Sequence, residues 1–193
     1  MRELDRQVFY SGLHRALVYH YKDEGERIWQ EAADEYDRIV SDPRFKHHKG
    51  SMAVPAAALR RVLRAHGRNA DRILQWYGGK IGVKLAGVVR KLTRIPFLED
   101  ILWKNAETLS DVMSSERKGY KRRLVSKPPV MYGVDILSCP YHEICKELGE
   151  EKAALCICKM DANFSKGFDR IKYDRNSALP EGADCCEYRL THR

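Results

Sequence analysis

The sequence predicts an α+β protein, with a helical N-terminal part followed by a small antiparallel sheet with short helices. Three observations carry this. From Leu4 to Met113 apolar residues recur at helical spacing, the pattern of helices packed on one face. After Pro129 the pattern changes to loose alternation at Val130, Tyr132, Val134 and Ile136, and again at Phe168, Ile171 and Tyr173, as strands require. Between these strands lie two short helical stretches, so the second part groups as a compact α+β module. The expected division is residues 1–128 as a helical wall, lid or oligomer contact, and 129–193 as a cysteine-bearing module.

The first helix is expected over 4–21, from Leu4, Val8, Leu13, Leu17 and Tyr21. A second runs from Glu24 to Val40 and stops at Ser41-Asp42-Pro43, where proline removes an amide donor and restricts its predecessor. Arg44 to Ser51 is a basic loop. His47 and His48 are adjacent in it and would diverge by about 100° on a helix, so they read as exposed loop residues rather than as a metal pair. Pro55 opens a third helix, with Ala58, Leu59, Val62 and Leu63 inward, and His66-Gly67 ends it. Asn69 or Asp71 caps the next segment, which Gly78-Gly79 is expected to interrupt.

Gly78, Gly82 and Ala86 stand four apart and would let another helix approach closely, so the 78–94 helix offers a homo-oligomer contact. Lys80, Lys84, Arg90 and Lys91 bracket this run too tightly for a membrane span. Phe97 to Met113 reads as one helix with Ile101, Leu102, Ala106, Leu109 and Val112 inward. Residues 114–129 read as a basic connector. The strand from Val130 to Leu137 follows, then helices over 141–148 and 150–160, a strand over 168–175, a turn at Pro180-Glu181-Gly182, and a last strand from Cys185 to Leu190.

The net charge of +8 is uneven: residues 129–193 hold 9 basic and 11 acidic side chains, the first 128 hold 26 and 16. The basic excess therefore belongs to the helical part. No nucleic-acid-binding motif accompanies it, so nucleic acid is not the expected partner. With no apolar signal core near the start and no spanning segment, the expected location is cytoplasmic. Thiols stay reduced there, so the six cysteines read as reactive, metal-binding or buried rather than as disulfides.

All six lie from Cys139 onward, in Cys139-Pro140-Tyr141-His142-Glu143-Ile144-Cys145, Cys156-Ile157-Cys158-Lys159-Met160-Asp161, and Gly182-Ala183-Asp184-Cys185-Cys186-Glu187-Tyr188. Cys139 precedes a helix begun by Pro140, where free amides and the helix dipole favour a thiolate. It is the first candidate nucleophile. His142, in the same turn, is a candidate acid or base. Cys158 and Asp161 are three apart on a helix and share a face. Cys158 is the second candidate nucleophile, and Asp161 a carboxylate to orient or accept a proton. Arg175 on its strand has the fork for a substrate carboxylate. Cys185 and Cys186 face opposite sides of theirs. As an alternative, Cys139, His142 and Cys145, with Cys156, Cys158 or Cys186, would make a soft set for zinc or an iron–sulfur cluster; the primary expectation is no cofactor.

Taken in order, Cys-Pro-Tyr, Leu148-Gly149, Cys158-x-x-Asp161, Arg175 and Gly182-x-x-x-Cys186-x-Tyr188 resemble the L-2-amino-thiazoline-4-carboxylic acid hydrolase family over about the last 60 residues. The resemblance implies opening of a cyclic C–N/C–S substrate carrying a carboxylate, as an aminothiazoline ring opens to an N-carbamoyl cysteine. It selects Cys186 over Cys185. Cys139, His142, Cys158 and Asp161 are then the catalytic candidates, and Tyr141, Arg175 and Cys186 the substrate-binding ones. The ending from Gly182 to Tyr188 also resembles small vinyl-reductase-like ligand-binding domains, which imply a sensor.

Overall fold

The computed structural model describes residues 3–193 and is α+β as expected; residues 1–2 of the expected helical region lie outside it. The helices are α1 (Ser11–Tyr21), α2 (Asp23–Ser41), α3 (Ala53–Ala65), α4 (Ala70–Leu92), α5 (Leu98–Lys104), α6 (Ala106–Met113), α7 (Pro140–Glu147) and α8 (Leu155–Phe164). Four strands, β1 (Lys121–Ser126), β2 (Met131–Ser138), β3 (Ile171–Arg175) and β4 (Cys186–His192), form one antiparallel sheet in the order β1-β2-β4-β3. No described helix is long and apolar enough to cross a membrane.

Each helix follows from local chemistry. α2 puts Ile28, Ala32, Tyr36 and Ile39 on its buried face. Ser51 Oγ accepts from the amide of Ala53 and starts α3, and Gly67, at φ +66°, ends it. Asn69 Oδ1 accepts from the amide of Arg72 at 3.1 Å and caps α4. One buried cluster joins these helices to Ile144 and Cys145 of α7 and Cys156 of α8. A smaller one, under the sheet, holds Tyr132, Val134, Ile136 and Cys186 against Trp103 and Ala106.

The helical core therefore takes in elements from beyond residue 128. Charge ties the same elements together. Glu150, 4% exposed, binds Arg60, and Arg60 also binds Asp71. Arg61 bridges Glu35 to the carbonyl of Leu148.

Several expectations are corrected. Residues 4–10 form two 3₁₀ turns, because Gln7 leaves helical geometry (ψ 89°), and α1 begins only at Ser11. The 97–113 helix is two helices. Asn105 breaks it, its side-chain amide donating to the carbonyl of Ile101, and Ile101, Leu109 and Val112 are exposed while Trp103 and Ala106 turn inward. The 114–129 connector contains β1, paired to β2. Its charges lie on an edge strand with one solvated face, so no apolar alternation marks it. The expected 150–160 helix is a 3₁₀ turn over Glu151–Ala154 followed by α8.

Gly78-Gly79 does not interrupt α4. A Cβ on Gly78 would lie 2.0 Å from the Cys156 carbonyl oxygen, and one on Gly82 2.3 Å from that of Met160. Gly167 meets the carbonyl of Ala86 in the same way, at 2.6 Å. The small-residue stripe is thus filled by α8 and the turn after it, from the same chain. The side chains that α4 leaves exposed are others, Val83, Leu85, Val88 and Leu92.

Candidate active site

Three elements converge on one cavity. From α7 come Cys139, Tyr141 and His142; from α8, Cys158 and Asp161; from β4, Cys186 and Tyr188. Tyr120, at the entry to β1, closes the side, and Ile136, Ala154, Ile157 and Pro180 supply apolar wall. The cavity volume is about 40 Å³, room for roughly three waters.

Local sequence explains each placement. Cys139 is extended (φ −123°, ψ 122°) and N-caps α7, with Pro140 as the first helical residue. Its sulfur makes no full cap hydrogen bond. Burial raises its pKa, while the amides of His142 and Tyr141 facing the sulfur pull it down and only partly compensate. His142 is 8% exposed, and its Nδ1 has no hydrogen-bond partner. The Glu143 carboxylate stands 3.6 Å from that nitrogen, outside hydrogen-bond reach.

On α8, Cys158 and Asp161 lie one turn apart and face the cavity, while Cys156 and Met160 turn their main chain to α4. Burial pushes the Cys158 thiol up to about 12, against the pull of the Arg175 guanidinium. It lifts the Asp161 carboxyl to about 6, again opposed by Arg175. The site therefore carries neutral thiols beside an acid that changes charge near physiological pH.

The sheet forms the opposite wall. Ile136 pairs with Cys186, and Arg175 with Tyr188, so these side chains share one face. Cys186 Sγ accepts from the amide of Leu179 at 3.3 Å. Burial raises its pKa, and that hydrogen bond and Arg175 lower it in part. The rings of Tyr173 and Tyr188 meet at 5.4 Å. Arg175 does not line the cavity. It adjoins the cavity, close enough to Cys158 and Asp161 to act on both, and its Nη1 is buried without a partner.

The structure thus brings Cys139, Tyr141, His142, Cys158, Asp161 and Cys186 to one cavity, with Arg175 adjoining. The other thiols go elsewhere. Cys145 donates to the carbonyl of Ala53, Cys156 is sealed in the helical core, and Cys185 is absent from the cavity wall. The Cys139-His142-Cys145 set is thereby split, and among the described residues no group of three His, Cys, Asp or Glu side chains is arranged to hold a metal. Sequence reasoning gave no site role to Tyr120, Tyr173 or Tyr188. Tyr188 ends the motif and was open to assignment; Tyr120 sits among cations, and nothing local marks it. A second cleft of about 200 Å³ is lined by Arg38, Arg44 and Arg61. Each of these arginines is already ion-paired, so we place the chemistry in the smaller cavity.

A family model described as L-2-amino-thiazoline-4-carboxylic acid hydrolase matches residues 13–190. No curated protein matches. Among solved structures, an H-NOX protein from S. oneidensis in the Fe(II)NO ligation state is 12% identical, with 100% of this chain and 99% of that one covered and a TM-score of 0.46. A triple mutant of an H-NOX protein from S. oneidensis in the Fe(II) state gives the same identity and TM-score, with 96% of its chain covered. At that level the likeness carries no argument about this protein.

Proposed function

This chain belongs to the L-2-amino-thiazoline-4-carboxylic acid hydrolase family, and on that premise we propose that it opens a small cyclic carboxylate at a C–N/C–S centre, with a cysteine as nucleophile. The observation that carries the reading is the meeting, on one cavity, of three neutral thiols, a carboxyl poised near pH 6 and a buried imidazole whose Nδ1 has no hydrogen-bond partner.

The assignment of roles follows from position. Cys139 is the nucleophile, since amides face its sulfur and stabilise the developing thiolate. Because burial holds it protonated, a base must take the proton as attack proceeds, and in this reading His142, from the same helical turn and on the same cavity, is that base. The thiolate adds to the amidine-like ring carbon. The ring C–S bond breaks, and the departing sulfur takes a proton from Asp161 or from the imidazolium. Water, deprotonated by the same groups, then adds to that carbon and expels Cys139, which is reprotonated. The sum is substrate plus one water giving an N-carbamoyl amino acid with a free thiol. Arg175, with an unpartnered Nη1, receives the carboxylate.

The cavity is smaller than such a ring, so entry displaces a wall. Tyr120 is the candidate: it is only part-buried and follows Gly119, a turn residue at φ +86°.

The test is purified protein with 2-aminothiazoline-4-carboxylate, product followed by mass. Turnover is expected in wild type, lost by at least about 10³-fold in Cys139→Ser and kept in Cys185→Ser. Arg175→Lys is expected chiefly to raise KM. No turnover of this or any related cyclic amidine, with ligand still retained, would support the sensor reading instead.

A further inference from the structure

From Arg72 to Leu98 the chain carries six basic side chains and no acidic one. Five of them, Lys80, Lys84, Arg90, Lys91 and Arg94, are exposed on or just beyond the second half of α4. Arg90 reaches the carbonyl of Lys166 and Lys80 lies over the Trp76 ring, but no carboxylate pairs with any of the five among the described residues. Among the described residues, Asp71 is taken by Arg60, and Asp100 by Arg170 and His192. Glu99 is buried, accepting from the amides of Asp169 and Arg170.

Apolar side chains are interleaved with these cations. Leu85, Val88 and Leu92 follow helical spacing and form a stripe beside the glycine stripe that α8 fills. Ile95 and Phe97 continue the exposed apolar run past the end of α4, and Ile101 follows on α5, with exposure from 39% at Leu85 to 75% at Phe97. Phe97 is held at φ +64°, a backbone region that bulky residues seldom adopt. Scattered apolar residues on a surface need no account, but exposed ones at helical spacing within a segment whose charges are all basic do.

Charge decides between occupants. A second copy docked on this stripe would set these cations against their own counterparts, with no acidic side chain in the segment to answer them. Neither cavity described above is lined by these residues, so this surface is an open face rather than part of a ligand pocket. A bilayer with anionic headgroups answers both halves of the surface: phosphates for the cations, the acyl boundary for the apolar side chains.

We propose that the α4–α5 corner docks this protein on anionic lipid surfaces, as a peripheral rather than a spanning contact. The inference is independent of the hydrolase reading, and its test does not involve turnover. Full-length protein is sedimented with phosphatidylcholine vesicles with and without phosphatidylglycerol. Binding is expected only where phosphatidylglycerol is present.

Lys84→Gln with Lys91→Gln weakens binding by about 30-fold. Leu92→Ser with Phe97→Ser weakens it by at least about tenfold, at unchanged circular dichroism and melting. Arg44→Gln, a cation outside the corner, leaves it unchanged. Failure to bind phosphatidylglycerol vesicles overturns the proposal. So does binding that the Leu92/Phe97 variant leaves intact, which would be a charge effect alone. A stable dimer in sedimentation equilibrium that Leu92→Ser dissolves would give the stripe to a second copy.

Discussion

Adding one methyl group to α4 should have opposite effects at two positions nine residues apart. At Gly78 the new Cβ would lie 2.0 Å from the Cys156 carbonyl oxygen. Ordinary C···O contacts sit near 3.3 Å, so the main chain of α8 must retreat by about 1.3 Å. Strain of this kind costs about 1–3 kcal/mol, and alanine in a helix interior returns up to about 1 kcal/mol. Gly78→Ala should therefore lose about 1–2 kcal/mol, a fall in Tm of about 2–8 °C for a chain of this size. At Gly87 a Cβ meets nothing within 4 Å. Gly87→Ala should then gain up to about 1 kcal/mol and raise Tm by about 2–4 °C.

The readouts are urea denaturation and thermal melting for both variants, with substrate turnover beside them. Because α8 carries Cys158 and Asp161, its retreat should also cost Gly78→Ala up to about 10²-fold in kcat. If Gly78→Ala melts at or above Gly87→Ala and turns over like wild type, the close approach of the two backbones is refuted.

Other consequences can be measured alongside. Burial lifts the Asp161 carboxyl from its ordinary 3.8 to about 6, so the native state holds a proton that the unfolded chain has released. Its contribution to stability is fully present below about pH 4 and is lost as pH rises through 6, about 3 kcal/mol in all. Asp161→Asn lacks this loss, so its stability relative to wild type should climb across that window; a flat difference in denaturant titrations would contradict the burial. Glu150→Ala leaves Arg60 with Asp71 alone and should cost about 1–3 kcal/mol by urea unfolding, the range for losing a buried charged hydrogen bond. Asn69→Ala removes the cap of α4 and should cost about 1 kcal/mol.

Much of this was legible in the sequence because some residues carry their reason locally. Cys139-Pro140 announces a helix start, and Cys158-x-x-Asp161 a shared helical face. Strands β2 and β4 alternate in sequence because one face of each packs on the apolar cluster under the sheet. Where sequence reasoning failed, the deciding contact was distant. Gly78 reads as a helix breaker until the Cys156 carbonyl, 78 residues on, occupies the space its missing side chain leaves. β1 hides behind Lys121, Arg122 and Arg123, since an edge strand keeps charges wherever water reaches it. Asp135 shows the same limit: an acid mid-strand looks exposed, yet it is buried under Arg123 and Arg189 on the sheet's other face. Tyr120 joins the cavity only because β1 pairs where it does.

The two walls of the cavity differ in what holds them. On the α8 side, main chain rests on main chain through positions that tolerate no added atom. On the sheet side, Ile136 and Tyr188 rest on other side chains, which can exchange volume with their neighbours. Changes of preferred ring size or substituent should therefore arise by substitution along β2 and β4, with the helical wall kept as a fixed template. A library meant to change what this cavity accepts would do best to vary the strands and leave the glycines of α4 alone.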